Sequence, residues 1–222
     1  MSKIIAVSIV LICNLTIFFK ADCKDVAIVK NNQHSFLFKA NSSNIDTITL
    51  GGGCFWCVEA IYNRLNGVLN VESGYSGGTL VNPSYREVCT LNTGHAEVVQ
   101  IIYDTKIIML EEILKVFFAV HDPTTINRQG DDIGEQYRSV VFYRNNKQYK
   151  ITKEIIDALN KDKVFNNPVV TKLSPFNAFF KAEAYHQNYY DLNKSKPYCK
   201  LVIQPKVEKF EKLFKSRIKK QQ

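Results

Sequence analysis

Residues 51–59 read Gly-Gly-Gly-Cys-Phe-Trp-Cys-Val-Glu and mark the place where a strand gives way to a helix. The alternating apolar and polar residues of 45–50 predict the strand. The apolar residues that follow recur at the spacing of a buried helix face: Val58, Ala60, Ile61 and Leu65. Cys54 is therefore predicted at a helix N-terminus, where free backbone N–H groups and the helix dipole lower the pKa of a thiol. This setting is typical of a cysteine nucleophile.

Three other interpretations of this stretch compete with that one. A phosphate-binding loop would need Lys-Ser/Thr after the glycines, and none follows. Cys54 and Cys57 lack the second Cys-x-x-Cys pair or suitably spaced histidines of a zinc site, so no metal is expected. Phe55 and Trp56 fit ordinary core aromatics. We interpret them instead as an apolar wall for a substrate group, because the only tryptophan of the chain stands beside the predicted nucleophile.

The motif Gly-Cys-Phe-Trp-Cys resembles the active-site signature of the A-type peptide methionine sulfoxide reductases. The resemblance runs over roughly residues 45–214 and continues through further motifs in the same order. They are Gly74-Tyr75-Ser76-Gly77-Gly78, Asn82-Pro83-Ser84-Tyr85, Thr93-Gly94-His95-Ala96-Glu97-Val98, Asn127-Arg128-Gln129-Gly130, Gln136-Tyr137-Arg138-Ser139 and Tyr185-His186-Gln187. It implies an α/β (α+β) fold: a two-layer sandwich with a mixed β-sheet, a ferredoxin-like core, and a long C-terminal coil and helix.

The resemblance also implies an activity, the reduction of methionine-(S)-sulfoxide, free or in proteins. Cys54 would attack the sulfur, and Glu97 would protonate the departing oxygen. Tyr85 and Tyr137 occupy the positions of the phenols that hydrogen-bond that oxygen. From the residues alone, Glu97 would be an exposed strand carboxylate. Apolar surroundings would instead keep it protonated and able to donate.

Two further polar residues are candidates for the substrate pocket. The resemblance places Asp132 there, although an Asp-rich segment is usually only a turn. His186 is expected beside the pocket as a hydrogen-bonding histidine. Cys89 is expected to pack beside it as a small apolar residue.

Recycling requires a second thiol, which converts the sulfenic acid of the nucleophile to a disulfide. Cys57 lies one helical turn from Cys54, close enough for a disulfide. Cys199 follows the Tyr-His-Gln motif at about the interval that the family uses for its recycling cysteine, in a segment predicted to be a mobile loop. We favour Cys199 and keep Cys57 as the alternative. The resemblance implies a thioredoxin-like reductant, and we expect no cofactor and a monomer.

Two other functional classes remain open. A general dithiol–disulfide oxidoreductase of the cell envelope would explain the Cys-x-x-Cys motif alone, but it would not need the acid and the two phenols. The second class is a module that binds anionic partners through its basic C-terminal segment. The net charge of +8 is concentrated in residues 206–220, which we interpret as the solvated face of a C-terminal helix, so no nucleic-acid partner is expected.

The organisation of the 222 residues is that of one domain after a leader. Lys3 and the short apolar run that follows predict a signal peptide at 1–21, hence an exported protein, periplasmic or secreted, without stable membrane insertion after cleavage. Residues 22–44 form a polar lead-in, 45–216 the reductase domain and 217–222 a basic end. Further strands are predicted at 68–74, 95–104, 137–143 and 169–173, and helices at 109–120 and 148–159.

Overall fold

The computed structural model describes residues 44–220, and a six-stranded sheet forms its centre. In chain order the strands are β1 (Ile45–Gly52), β2 (Val68–Ser76), β3 (Ala96–Asp104), β4 (Arg128–Gln129), β5 (Asp132–Ile133), β6 (Ser139–Tyr143), β7 (Lys172–Pro175) and β8 (Phe180–Lys181). The α-helices are α1 (Phe55–Tyr62), α2 (Tyr85–Thr90), α3 (Leu110–Val120), α4 (Asn146–Lys161), α5 (Tyr189–Leu192) and α6 (Gln204–Leu213). A π-helical turn, Cys199–Ile203, leads directly into α6.

The sheet has the order β7-β6-β1-β3-β2-β8, and β4 pairs with β5 in a separate two-stranded sheet. Neighbouring strands are antiparallel except for the parallel pair β6 and β7. The inner order β6-β1-β3-β2, with helices after β1 and β3, is the ferredoxin-like arrangement. The predicted fold class, with its mixed sheet and long C-terminal coil, is therefore confirmed.

The two faces of the sheet are covered differently, and this difference decides where Glu97 lies. Odd-numbered residues of β3, such as Val99 and Ile101, belong to the large core that contains α1 and α3. Even-numbered Val98 belongs to a small cluster on the other face, covered by two aromatic rings of the coil between β7 and β8. Side chains alternate along a strand, so Glu97 lies on the helix-covered face with Val99.

Several predicted boundaries differ from the structure. The strand predicted at 137–143 begins only at Ser139, because Glu135–Tyr137 forms a 3₁₀ turn. The short strand predicted at 169–173 lies at Lys172–Pro175. The helix predicted at 148–159 is longer, because Asn145 caps it by accepting a hydrogen bond from the Gln148 N–H.

The predicted signal peptide and all but the last residue of the predicted lead-in fall outside the described residues. In the part of the chain that the structure describes, no helix combines the length and the apolar character that crossing a membrane requires.

Candidate active site

Cys54 lies at the N-cap of α1 because β1 ends in a glycine turn. Gly53 has a φ of +91°, and a Cβ built there would lie 2.5 Å from the Gln129 side chain. Only glycine satisfies both the left-handed backbone and this close approach. The turn places the Cys54 thiol in a largely enclosed position, with 6% of the residue exposed.

Glu97 is hydrogen-bonded to the first turn of α1, the helix that follows Cys54. Its Oε2 accepts a hydrogen bond of 3.0 Å from the Phe55 backbone N–H, and only 1% of the residue is exposed. Burial raises the pKa of Glu97 well above its usual range, and the neighbouring Cys54 raises it further, against the opposing effect of the Phe55 N–H. Glu97 is therefore a buried carboxyl whose protonated form is favoured, and not the exposed strand carboxylate of the alternative interpretation.

Two phenols lie near this carboxyl. Tyr85 and Tyr137 are half-buried and pack against the main core. Burial raises the pKa of both hydroxyls, and the proximity of Glu97 raises it further. Both phenols are therefore neutral hydrogen-bond donors at physiological pH. Glu183 fixes the helix that carries Tyr85, because its Oε1 accepts the Tyr85 backbone N–H at 2.9 Å.

An aromatic stack forms the wall beside Cys54. Trp56 lies face to face with Tyr189, with ring centroids 3.7 Å apart and an 8° angle between the planes. The Trp56 indole N–H donates to His186 Nδ1 at 3.1 Å. Phe55 lies deeper, 1% exposed, with its ring centroid 5.0 Å from that of His186. Trp56 is thus the more exposed of the two aromatic residues, and Phe55 packs beside it in the core.

His186 holds the indole through its unprotonated Nδ1. Burial lowers the pKa of His186, and Glu183, with Oε2 at 3.9 Å from Nε2, opposes this shift. The predicted position of His186 beside the pocket agrees with this contact. Tyr189 was not predicted, since its sequence context contains no motif.

The two cysteines of the signature influence each other's ionisation, and this changes the expected pKa values. Burial raises the pKa of Cys54 well above its usual value, and Cys57 raises it further. The pKa of Cys57 is lowered, first by the hydrogen bond from Cys54 and then by the charge of Lys206. The prediction that the helix N-terminus lowers the pKa of Cys54 was wrong, because desolvation and the second thiol outweigh the helix. Between the two sulfurs, Cys57 is the better site for the negative charge.

Asp132 is connected to Cys54 by Tyr198, a residue that was not predicted for the site. The Tyr198 hydroxyl donates to Asp132 Oδ2 at 2.9 Å and is also within hydrogen-bonding reach of the Cys54 sulfur. Tyr198 also packs edge-on against Trp56, with centroids 5.9 Å apart. In the sequence Tyr198 stands out only as the neighbour of Cys199. Its place in the site follows from its tertiary contacts.

Cys199 does not lie in a mobile loop. It begins the π-helical turn before α6, is completely buried, and belongs to the main core. Burial raises the pKa of its thiol, and the nearby Cys54 raises it further. The expected loop is replaced by packed helix because Ile203 and Val207 anchor this segment in the core.

Cys89 also differs from the expectation. It is exposed on α2, where its charge influences the pKa of Tyr85, whereas an apolar packing role was predicted. The short α2 presents Val88 to the core, which turns its neighbour outward.

Comparisons with known proteins agree with this geometry. The family model described as peptide methionine sulfoxide reductase matches residues 46–218. The chain belongs to the peptide methionine sulfoxide reductase family. The peptide methionine sulfoxide reductase MsrA of Saccharolobus solfataricus is 55% identical over 175 residues, which cover 79% of this chain and 98% of the relative. The MsrA of Trichodesmium erythraeum is 50% identical over 174 residues, 78% of this chain and 98% of the relative.

Solved structures support the family's fold for this reductase. Mxr1 of Saccharomyces cerevisiae in its reduced form is 34% identical, with a TM-score of 0.66 over 74% of this chain and 94% of the yeast chain. Methionine sulfoxide reductase A of Corynebacterium diphtheriae is 30% identical, with a TM-score of 0.60 over 69% of this chain and 77% of its own.

Proposed function

We propose that this reductase converts methionine-(S)-sulfoxide, free or in proteins, to methionine. The observation that carries the proposal is the buried Glu97 carboxyl, held 3.0 Å from the N–H of the residue after Cys54. The S–O bond of a sulfoxide breaks only when its oxygen is protonated. A nucleophilic thiol and a protonated carboxyl on adjoining elements supply both requirements of the reaction.

In the first step, the Cys54 sulfur attacks the sulfoxide sulfur. Glu97 donates its proton to the oxygen, which Tyr85 and Tyr137 hold by hydrogen bonds. The protonated oxygen then moves from the substrate sulfur to the Cys54 sulfur: the substrate S–O bond and the new S–S bond break as the Cys54 S–O bond forms. Methionine leaves, and Cys54 becomes a sulfenic acid. One thiol is oxidised and one sulfoxide is reduced, and the Cys54 proton replaces the one that Glu97 gave.

The methyl group of the substrate needs an apolar surface beside the nucleophile. We propose that the Trp56 ring supplies it, because Tyr189 and His186 hold the indole on two sides. Asp132, with Tyr198, would bind the polar part of the substrate near Cys54.

We propose Cys57, in place of the earlier candidate Cys199, as the thiol that resolves the sulfenic acid. Cys57 lies one turn from Cys54 on α1, where its backbone N–H donates to the Cys54 carbonyl at 3.1 Å, and its lowered pKa favours the attacking thiolate. Cys199 is buried, with a raised pKa, inside a packed helical segment. A thioredoxin-like dithiol would then reduce the Cys54–Cys57 disulfide, which suits a pair at a helix N-terminus.

The resolving thiol can be identified by adding substrate without reductant and mapping the disulfide by peptide mass. We expect a Cys54–Cys57 bond in the wild type and full thioredoxin-dependent turnover by Cys199→Ser. A Cys54–Cys199 bond would assign the role to Cys199. Cys57→Ser and Cys199→Ser should each still release one equivalent of methionine, because resolution follows the reductase step.

We also propose that the protein is exported, on the basis of Lys3 and the apolar run after it. N-terminal sequencing of protein from the source cells should find a mature chain without the leader. Cytoplasmic protein that retains Met1 would refute export.

The reductase activity is tested with the separated epimers of methionine sulfoxide and dithiothreitol as electron donor. Wild-type protein should form methionine from the S epimer and leave the R epimer, the internal control, unchanged. Cys54→Ser should form none, because a hydroxyl is a far weaker nucleophile near neutral pH. A general dithiol–disulfide oxidoreductase would leave both epimers intact and reduce protein disulfides instead. Equal rates on both epimers would also contradict the proposal.

A further inference from the structure

Lys206 reaches the active-site cysteines from the C-terminal helix. Its Nζ lies 3.7 Å from the Cys57 sulfur, although the two residues are 149 positions apart. The helix α6 packs against α1, and Val207 and Phe210 are buried in the core beside it. These anchors hold the half-buried Lys206 stem in place, so the contact does not depend on a free surface side chain.

The Lys206 ammonium has no competing anionic partner in the described part of the chain. No carboxylate lies within 4.0 Å of it there, and its only hydrogen-bond partner among residues 44–220 is Cys57. A half-buried cation without a counter-ion favours a negative charge on the neighbouring sulfur. The earlier interpretation of residues 206–220 as a solvated face was therefore wrong at Lys206.

Other charged and titratable groups around Cys57 act more weakly. Asp132 opposes the thiolate, but its effect is smaller than that of Lys206. His121, which with Lys206 lines a small cavity beside Cys57, is neutral near pH 7 because burial lowers its pKa to about 4. Lys209 is exposed one turn further along α6. Cys54 lies on the other side and donates to Cys57.

Building on the proposed resolution step, we propose that Lys206 holds Cys57 as the thiolate that attacks the Cys54 sulfenic acid. In this step the Cys57 thiolate forms the S–S bond as the S–O bond of Cys54 breaks. The oxygen leaves with the electron pair of the S–O bond and takes up one proton from the solvent, so that water departs. Cys57 is oxidised and Cys54 is reduced, without any further oxidant.

The charge pairing is tested without substrate, so its outcome does not depend on the proposed activity. In a Cys54→Ser background, the ultraviolet absorbance of the Cys57 thiolate is titrated against pH, with Cys54→Ser/Cys57→Ser as the blank. Lys206→Met should move the Cys57 titration to higher pH by about one unit, and Lys206→Arg should restore it. Lys209→Met, one turn away, is the matched control and should leave the titration unchanged. An unchanged titration in Lys206→Met would overturn the proposal.

The consequence for catalysis is tested in a single turnover on methionine-(S)-sulfoxide, quenched at intervals at several pH values. Methionine release in the same samples gives the rate of the preceding reductase step, so that disulfide formation can be compared with it in Lys206→Met and in the wild type. The disulfide should form about tenfold more slowly at pH 7, and the deficit should vanish at a pH well above the titration of Cys57. A deficit of equal size at every pH would show that Lys206 acts only on packing and would overturn the proposal. Failure of the wild type to release methionine would instead refute the proposed function, and the titration would still decide the role of Lys206.

Discussion

The Phe55 backbone N–H donates to Glu97 Oε2 across 3.0 Å, which joins the first residue of α1 to the second residue of β3. The nucleophile before Phe55 and the acid on β3 are thus placed by two regular elements and not by a loop. Such placement fixes the distance between reacting groups, which is a large part of catalysis. The same hydrogen bond lowers the pKa of Glu97, but burial raises that pKa by more, so the protonated form is favoured.

Replacing Glu97 with Gln should slow methionine formation by about 10²- to 10⁴-fold, since the amide keeps the shape but has no proton to transfer. Single-turnover release of methionine measures this step directly. The reaction of Cys54 with an alkylating agent is the control and should persist. A near-normal rate would mean that another group, such as Tyr137, supplies the proton.

The reductase step should also lose rate as the pH rises through the raised pKa of Glu97. The acid form is the active one, and burial favours it by raising the pKa of Glu97. Single-turnover rates should therefore fall at the alkaline end of the profile, where Glu97 loses its proton. In Glu97→Gln the slow residual rate should lack this fall, and a wild-type rate that rose with pH throughout would argue against a proton-donating carboxyl.

Removing the imidazole with His186→Leu should raise the KM for methionine sulfoxide by roughly threefold to tenfold. The Trp56 indole N–H would lose its acceptor, and one unsatisfied buried donor costs about 1 kcal/mol or more. Steady-state kinetics with dithiothreitol measure the change. His186→Gln, which offers an amide oxygen as acceptor, is the matched control and should recover part of the loss, whereas equal KM values in both variants would show that the acceptor is unimportant.

Glu59 should make the protein less stable as the pH rises. It is 1% exposed on α1, and burial raises its pKa to about 7, although the Asn188 and Tyr189 backbone N–H groups oppose the shift. The folded state therefore binds more protons than the unfolded state between about pH 4.5 and 7. The stability that protonated Glu59 contributes at low pH is therefore lost as the pH rises across that window.

Urea unfolding at pH 5 and pH 8 tests this expectation. Glu59→Gln should remove roughly 2–3 kcal/mol of the decline in unfolding free energy. Glu154→Gln, on the exposed face of α4, is the control and should decline like the wild type. If Glu59→Gln declined equally, the carboxyl would already be ionised in the folded protein at pH 5.

Local patterns predicted the fold well where periodicity and glycines dictate the backbone. The strand, glycine turn and helix around Cys54 follow from such patterns, and so does α3 with its apolar face. The burial of Glu97 did not follow from its strand alone, because the helix-covered face of β3 is decided by the packing of α1. The family resemblance supplied that residue, and the structure supplied the reason.

Long-range contacts account for what the sequence left open. Lys206 lies 149 residues from Cys57, and only the packing of α6 on α1 brings them together. Tyr198 reaches Asp132 across 66 positions in the same way. The ionisation of Cys54 was mispredicted because a helix N-terminus is a local feature, whereas burial and the Cys57 hydrogen bond are tertiary ones.

If Cys54 takes the sulfoxide oxygen, an isotope label on that oxygen must be found on Cys54. A Cys57→Ser/Cys199→Ser variant is mixed without reductant and without air with methionine-(S)-sulfoxide whose oxygen is ¹⁸O. We expect one methionine released per protein and one ¹⁸O atom on the peptide that contains Cys54, found by mass spectrometry. Methionine release with an unmodified Cys54, or with the label on another cysteine, would show that Cys54 does not take the oxygen.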